Sequence, residues 1–390
     1  MTLPAGTLTS GALLDVYRPA GPTFTAGLGS WLVAANGERY LDFTSGIGVC
    51  ALGHGHPILT DGVTASLGAG LIHTSNLFRT EPADRLARWL VEHSSADRVF
   101  LCNSGAEANE AAIKFARRWA GPDRPDVIAF RGGFHGRTTG ALALTDRPAI
   151  RDPFLPLLPG VHFCDVGDEE SVERVLSSGR VCAVIIEPVQ GEGGVRPIAA
   201  GFLRTLRALC DEHRALLIVD EVQTGLGRTG TLWAYEDEGI EPDLITLAKP
   251  LAGGLPVGAV LLADHVAATI RPGDHATTFG GGPLVAAAAL AVCRIIGAPE
   301  FLSEVRSLGH LIGEKLAALA AHHPSVLEAR GRGLMWGLEL AGEAEPVVAR
   351  CLEQRLLVCG AGPSVVRLLP PLNVDRGEIA TAIEILEGSL

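Results

Sequence analysis

LITLAKPLAGGLPVGAV, from Leu244 to Val260, joins two short apolar runs through a Gly- and Pro-rich turn, and that turn carries one lysine, Lys249. Only three lysines occur among the 32 basic residues of the chain. Lys114 and Lys315 stand in charged, helix-like stretches, where an ammonium group is readily solvated. Lys249 has apolar residues, Gly and Pro as its immediate neighbours. Such surroundings strip water from the charged form and favour the neutral amine. A neutral lysine amine is a nucleophile, and Schiff-base chemistry is its commonest use. A lysine that merely snorkels its ammonium out of an apolar turn gives the same local pattern. The rest of the chain has to choose between the two.

LITL is followed by GAVLLA (Gly258 to Ala263), and five further runs of the same kind precede them. They are RVFLCN (Arg98 to Asn103), VIAF (Val127 to Phe130), VHFCD (Val161 to Asp165), VCAVIIEP (Val181 to Pro188) and ALLIVDE (Ala215 to Glu221). Longer helical patterns separate them. Short, continuously apolar runs alternating with helices predict an α/β domain around a mostly parallel seven-stranded sheet. Upstream, WLVAANGERYLDF (Trp31 to Phe43) reads as a hairpin about the Asn36-Gly37 turn. From Pro283 the pattern changes to an Ala-rich helix and a second helix near Glu304 to His322. LMWGLEL and VVRLLPP then read as strands of a smaller α+β domain.

Composition removes several function classes. Apolar content of 47% with 19% charged residues describes a chain able to bury a large core. A net charge of −12 argues against nucleic-acid binding, which needs clustered positive charge. The eight cysteines, from Cys50 to Cys359, form no CxxC pair and no zinc-ligand spacing, so they read as small core residues in a reducing compartment. The first fifteen residues lack a basic segment and an apolar core, so no signal peptide is expected there. The most membrane-like run, Leu284 to Cys293, stops at Arg294, short of a bilayer span. A cytoplasmic protein without membrane partners is expected. GHGHP (Gly53 to Pro57) offers two histidines but no clear third ligand, so no metal site is assigned.

In open α/β sheets the site gathers beyond the carboxyl ends of the strands. NSGAEANEAAIK (Asn103 to Lys114) lies there and opens a helix. Ser104 and Glu107 have capping-box spacing, and Glu110 and Lys114 are set for an i,i+4 pair. Gly105 and Ala106 leave the helix start bare enough for an anion to reach its amides. RGGFHGRTTG (Arg131 to Gly140) carries Phe134, an aromatic face for a planar ring, and Arg137, a clamp for a carboxylate. EPVQGEGG places Glu187 and Glu192 in another such loop. In ALLIVDEVQTGLGRTG, Asp220 ends a strongly apolar strand, and a buried carboxylate there needs a cationic or hydrogen-bonding partner. Gly225, Gly227 and Gly230 spell GxGxxG, but not directly after the strand and not before an apolar helix. No GxxxxGK[ST] motif is present, so nucleotide binding is a weaker alternative.

The strings NSGAEANE, FHGRT, EPVQGEGG, LLIVDEVQTGLGRTG, LAKPLAGGLPVGA, TTFGG and VRLLPPL, spread over residues 16–372, resemble the class-III (ω-amino) aminotransferases, and within them the acetylornithine type. The resemblance implies a fold-type I enzyme that uses pyridoxal 5′-phosphate. Residues 1–50 and 283–390 would form the smaller domain and 51–282 the cofactor domain. By the same resemblance, Lys249 is the Schiff-base lysine and Asp220 pairs with the pyridine nitrogen. Val222 would lie under the ring, Gln223 near its hydroxyl, and Phe134 on the opposite face. Gly105 and Ala106 would hold the phosphate, joined by Thr278 from the neighbouring subunit of a homodimer with shared sites. Arg137, Thr277, Arg367 and its gating partner Glu192 would contact substrate. Gly282 stands where many members have Asn, and Ala276 where they have Gly.

The implied reaction is ping-pong transfer of the terminal amine of N2-acetylornithine, or a close ω-amino acid, to 2-oxoglutarate, a step of arginine biosynthesis. Ornithine, 4-aminobutyrate and carrier-linked lysine intermediates are alternative donors. A racemase or aminomutase on the same fold would need no 2-oxoglutarate.

Overall fold

The computed structural model describes residues 14, 16, 17 and 19–390. The expectation about the first fifteen residues falls outside them, Leu14 excepted. All seven apolar runs are strands of one sheet. Across it they run Arg98–Cys102, Gly258–Leu262, Leu244–Leu247, Leu216–Asp220, Val181–Ile186, Asp126–Phe130 and Val161–Cys164. Gly258–Leu262 is antiparallel to both its neighbours, and the other pairings are parallel.

The continuous apolar runs follow from burial on both faces. Leu217 and Val219 enter one core while Leu216 and Ile218 enter the other, as the two-residue period of a strand requires. The second core is covered by the helix Gly105–Ala120. It presents the small residues Ala108, Ala111, Ala112 and Ala116 to the sheet, so its axis can lie close to the strands. The Ala-rich helix Pro283–Ile296 packs on helices Pro57–Gly68 and Glu81–Glu92 and on the turn that carries Lys249. Among the described residues no single helix is long and apolar enough to cross a membrane.

The expected hairpin forms, with Trp31–Ala34 antiparallel to Arg39–Asp42. Leu356–Leu357, from the far end of the chain, adds a parallel strand beside Arg39–Asp42. The Trp31 indole also donates to Glu378 at 2.7 Å, so residues from the two ends of the sequence meet. A second small sheet holds Val326–Arg332, Met335–Leu340, Val365–Leu368 and Cys359–Gly360 in that order.

Arg228, fully buried just beyond Asp220, ties the large sheet to this one. Its Nη1 donates to the carbonyls of Leu334 at 2.9 Å and Pro370 at 2.6 Å. Burial without a carboxylate partner pushes its guanidinium down to about 9. The strand that carries Arg367 is thereby pinned to the turn that follows Asp220.

Candidate active site

The clusters picked from the sequence converge at the carboxyl edge of the sheet. Asp220 is the last residue of its strand and is 3% exposed. Its Oδ2 accepts from His135 Nδ1 at 2.7 Å and from Asn109 Nδ2 at 2.8 Å, and its Oδ1 accepts from the Val222 amide at 3.0 Å. Sequence reasoning missed both side-chain partners. A signal for each existed: His135 sits inside FHG, and Asn109 lies four residues after Gly105, on the face of its helix that turns to the sheet.

Glu187 backs this group. It accepts from the Phe134 amide at 2.8 Å and the Gly191 amide at 3.3 Å. Burial, with the Asp220 charge adding, pushes its carboxyl up to about 7, while His135 works the other way. Burial opposes a charge on His135, but the bond to Asp220 and the nearby Glu187 outweigh it and raise the imidazole above its ordinary value. Asp220 is thus held by the His135 imidazole, the Asn109 side-chain amide and the Val222 backbone amide.

The helix start is close to the expected one, with a difference in detail. Ser104 accepts from the Glu107 amide at 3.2 Å, but Glu107 reaches past Ser104 to the Asn103 amide at 2.7 Å and the Asn103 side chain at 2.8 Å. The Gly105 and Ala106 amides have no protein acceptor among the described residues, which leaves two donors at the positive end of a 16-residue helix. A Cβ on Gly105 would come within 2.8 Å of Val222, so only glycine fits between the helix start and the strand tip. Glu110 does not pair with Lys114. It accepts the Gly140 and Ala141 amides at 2.8 and 3.1 Å, because the short helix Thr139–Ala143 needs an acceptor at its start. Lys114, exposed, meets His275 instead.

Lys249 opens the turn after Leu244–Leu247, and its amine has no hydrogen-bond or ion-pair partner among the described residues. Burial and the Arg367 charge lower its pKa, against the pull of Glu192, Glu187 and Asp220. Arg367 is 1% exposed, and its Nη1 donates to Glu192 Oε1 at 2.6 Å and Gln223 Oε1 at 3.2 Å. Burial alone would raise the Glu192 carboxyl, but Arg367, with Lys249 and Arg147, brings it below the ordinary value.

Phe134 is half-buried, and Arg137, exposed, places its guanidinium carbon 5.8 Å from the Phe134 ring centroid. The Thr277 hydroxyl accepts from Asn103 at 2.8 Å, beside the helix start of its own chain. Thr278 is exposed.

The residues present suit pyridoxal 5′-phosphate. Two free amides and a gap that admits only glycine would suit a phosphate, and the buried Asp220 would suit a protonated ring nitrogen. An amine held below its ordinary pKa would suit the aldehyde, and a half-buried aromatic ring would suit the ring face.

Residues 18–390 match the family described as aminotransferase class-III. The acetylornithine aminotransferase of Gloeobacter violaceus is 47% identical, over 96% of this chain and 95% of its own. Among solved structures, the N-acetylornithine aminotransferase of Stenotrophomonas maltophilia superposes with a TM-score of 0.84 at 39% identity, over 96% of each chain. A structure of the Toxoplasma gondii ornithine aminotransferase, described with partial occupancy of PLP at its active site, superposes with a TM-score of 0.93 at 32% identity. It covers 97% of this chain and 92% of its own.

Proposed function

The chain belongs to the class-III aminotransferases, and on that footing we propose that it moves the terminal amino group of N2-acetylornithine to 2-oxoglutarate, releasing a semialdehyde and glutamate. The observation that carries this is the ion pair between Arg367 and Glu192 beside Lys249. A donor whose reacting carbon bears no carboxylate leaves Arg367 without a substrate partner, and an unpaired buried guanidinium is costly. Glu192 supplies the missing charge. 2-Oxoglutarate brings a carboxylate next to its reacting carbon, which can take the place of Glu192 in a bidentate pair. One pocket thereby serves two unlike substrates in turn. Ornithine carries the same terminal amine, but the identity to an acetylornithine enzyme, 47% against 32% for the ornithine enzyme, favours the acetylated donor.

Pyridoxal 5′-phosphate, when bound, supplies an electron-withdrawing ring and an aldehyde carbon that takes up an amino group and later gives it away. We assign its phosphate to the Gly105 and Ala106 amides and its ring to the space between Val222 and Phe134. Asp220, held by His135 and Asn109, keeps a negative charge at the ring nitrogen. Gln223 would lie near the ring hydroxyl, and Lys249 Nζ would hold the aldehyde carbon. Once freed by the donor amine, Lys249 would take the proton from the amine-bearing carbon and return it across the nitrogen to the former aldehyde carbon, two bonds away. Its lowered pKa suits it to both roles. Arg137 and Thr277 are assigned to the distal end of the donor.

A homodimer fits the surface. Leu67, Leu71, Ile72, Leu77, Phe78 and Phe279 are all exposed, and the neighbouring helix Pro57–Gly68 buries none of its residues. The His73 ring lies 5.3 Å from that of Phe279, tilted by 45°, so this apolar area reaches the loop that bears Thr278. An apolar area of this kind marks an interface, and a second copy seated there would bring its own Thr278 toward the phosphate site.

The test is a donor screen of the holoenzyme against 2-oxoglutarate, with Lys249→Ala beside it. N2-Acetylornithine should give the highest kcat/KM, and Lys249→Ala should lose turnover because the attachment point and the proton carrier vanish together. Amine turnover that does not depend on 2-oxoglutarate, or near-normal rates for Lys249→Ala, would sink the assignment.

A further inference from the structure

Arg367 is held on two sides. One side is the Glu192 and Gln223 contact at Nη1. The other is a sulfur: Nε donates to Cys359 Sγ at 3.5 Å. Cys359 lies directly opposite Arg367 in the antiparallel pairing of Cys359–Gly360 with Val365–Leu368, so the backbone register brings the two side chains together. Six of the eight cysteines are buried; Cys359 and Cys50 are half-buried. Nη2 of Arg367 has no protein partner among the described residues.

A guanidinium can grip a carboxylate along the Nη1–Nη2 edge or along the Nε–Nη2 edge. With Nε taken by the sulfur, the Nη1–Nη2 edge is the one left to substrate, and Nη1 is also the atom that Glu192 holds. The incoming carboxylate must therefore compete with Glu192 for the same nitrogen. A thiol suits this task. It is a weak, neutral acceptor that satisfies Nε without cancelling the positive charge, whereas a carboxylate there would neutralise the arginine permanently.

We propose that Cys359 is a positioning residue for the acceptor substrate, fixing the plane of Arg367 so that its Nη1–Nη2 edge receives the α-carboxylate of a 2-oxo dicarboxylic acid in exchange for Glu192. This rests on the assignment of Arg367 to the acceptor carboxylate made above.

The experiment uses the holoenzyme and two readouts. One is equilibrium binding of glutarate, an unreactive dicarboxylate, followed by the visible absorbance of the enzyme. The other is the single-turnover rate and apparent Kd of each half-reaction. Cys359→Ala, which frees Nε, should weaken glutarate and 2-oxoglutarate about three- to tenfold and leave the donor half-reaction within about twofold. Cys359→Ser, which keeps an acceptor, should recover most of that loss. Cys359→Asp should weaken both acids by more than about tenfold, since its charge competes with theirs. If Cys359→Asp does not fold, the Ala and Ser pair decides.

Unchanged acid binding in Cys359→Ala, or equal losses in both half-reactions, overturns the proposal. Arg367→Leu in the same assay separates the two layers. If it abolishes glutarate binding while the Cys359 variants do not alter it, only the role of Cys359 falls. If Arg367→Leu binds glutarate normally, the carboxylate assignment and the role of Cys359 fall together.

Discussion

Arg367 and Glu192 are 175 positions apart in sequence, yet Nη1 and Oε1 lie 2.6 Å from each other in a site where Arg367 is all but sealed from solvent. The two come from distant parts of the chain, Glu192 from the loop after Val181–Ile186 and Arg367 from the small sheet. Their pairing is therefore a property of the assembled fold. It sits beside an amine that the same arginine pushes toward its neutral form.

Removing the carboxylate should change which donors the enzyme prefers. In Glu192→Ala the arginine stands open at all times, so α-amino donors such as glutamate gain a partner that the ω-amine cannot use. The ratio of kcat/KM for glutamate to that for N2-acetylornithine should rise about tenfold or more, a shift of ~1.4 kcal/mol or greater in relative transition-state binding. An unchanged ratio would mean that Glu192 only terminates a turn.

Asp220 should act on the proton-transfer step. With Asp220 assigned to the ring nitrogen, Asp220→Ala should cost about 2–4 kcal/mol in that step and far less in donor binding. His135→Phe removes one of the two side chains that hold the carboxylate and should produce a smaller loss of the same kind, with a shifted visible absorbance of the holoenzyme. Single-turnover deuterium transfer from the amine-bearing carbon checks both. Equal donor and proton-transfer defects would contradict the assignment.

The sheet that holds Arg39–Asp42 should carry a pH signature. His54 Nε2 meets the buried Asp42 Oδ2 at 2.9 Å, and Asp42, followed by Cys50, raises the imidazole to about 9 against the effect of burial. A histidine with a raised folded pKa contributes stability in full below its unfolded value, ~6.5, and loses it as pH rises through about 9. His54→Gln should therefore lower Tm most near pH ~6, and the gap to the parent should narrow as pH passes ~9. A gap that is constant over this range would show that the imidazole is not charged in the pair.

Much of this was legible in the chain, for physical reasons that differ from case to case. Strands buried on both faces, such as Leu216–Asp220, leave a continuous apolar run that no surface strand would show. Lys249 stood out because its neighbours could not solvate it. Asp220 stood out because a carboxylate ends an apolar strand. Partners that depend on where chains cross left no mark of their own. Asn109 resembles any polar residue on an Ala-rich helix, and it becomes a ligand of Asp220 only when that helix lies across the sheet. Glu110 fits an i,i+4 pair with Lys114 by spacing, but the folded chain offers it buried amides at Gly140 and Ala141, which need an acceptor more than an exposed lysine does. Cys359 reads as a small core residue until strand register sets it opposite Arg367.

On the assignment proposed here, Arg367 serves one substrate and is neutralised for the other. That assignment is tested most directly by measuring the two half-reactions of Arg367→Leu separately, by single turnover, with N2-acetylornithine and then with 2-oxoglutarate. Loss of a buried bidentate pair should slow or weaken the 2-oxoglutarate half by about a hundredfold or more, a cost of ~3–5 kcal/mol, while the donor half stays within a few-fold of the parent. Losses of equal size in both halves would contradict the account, because Arg367 would then be holding the fold and not distinguishing the substrates.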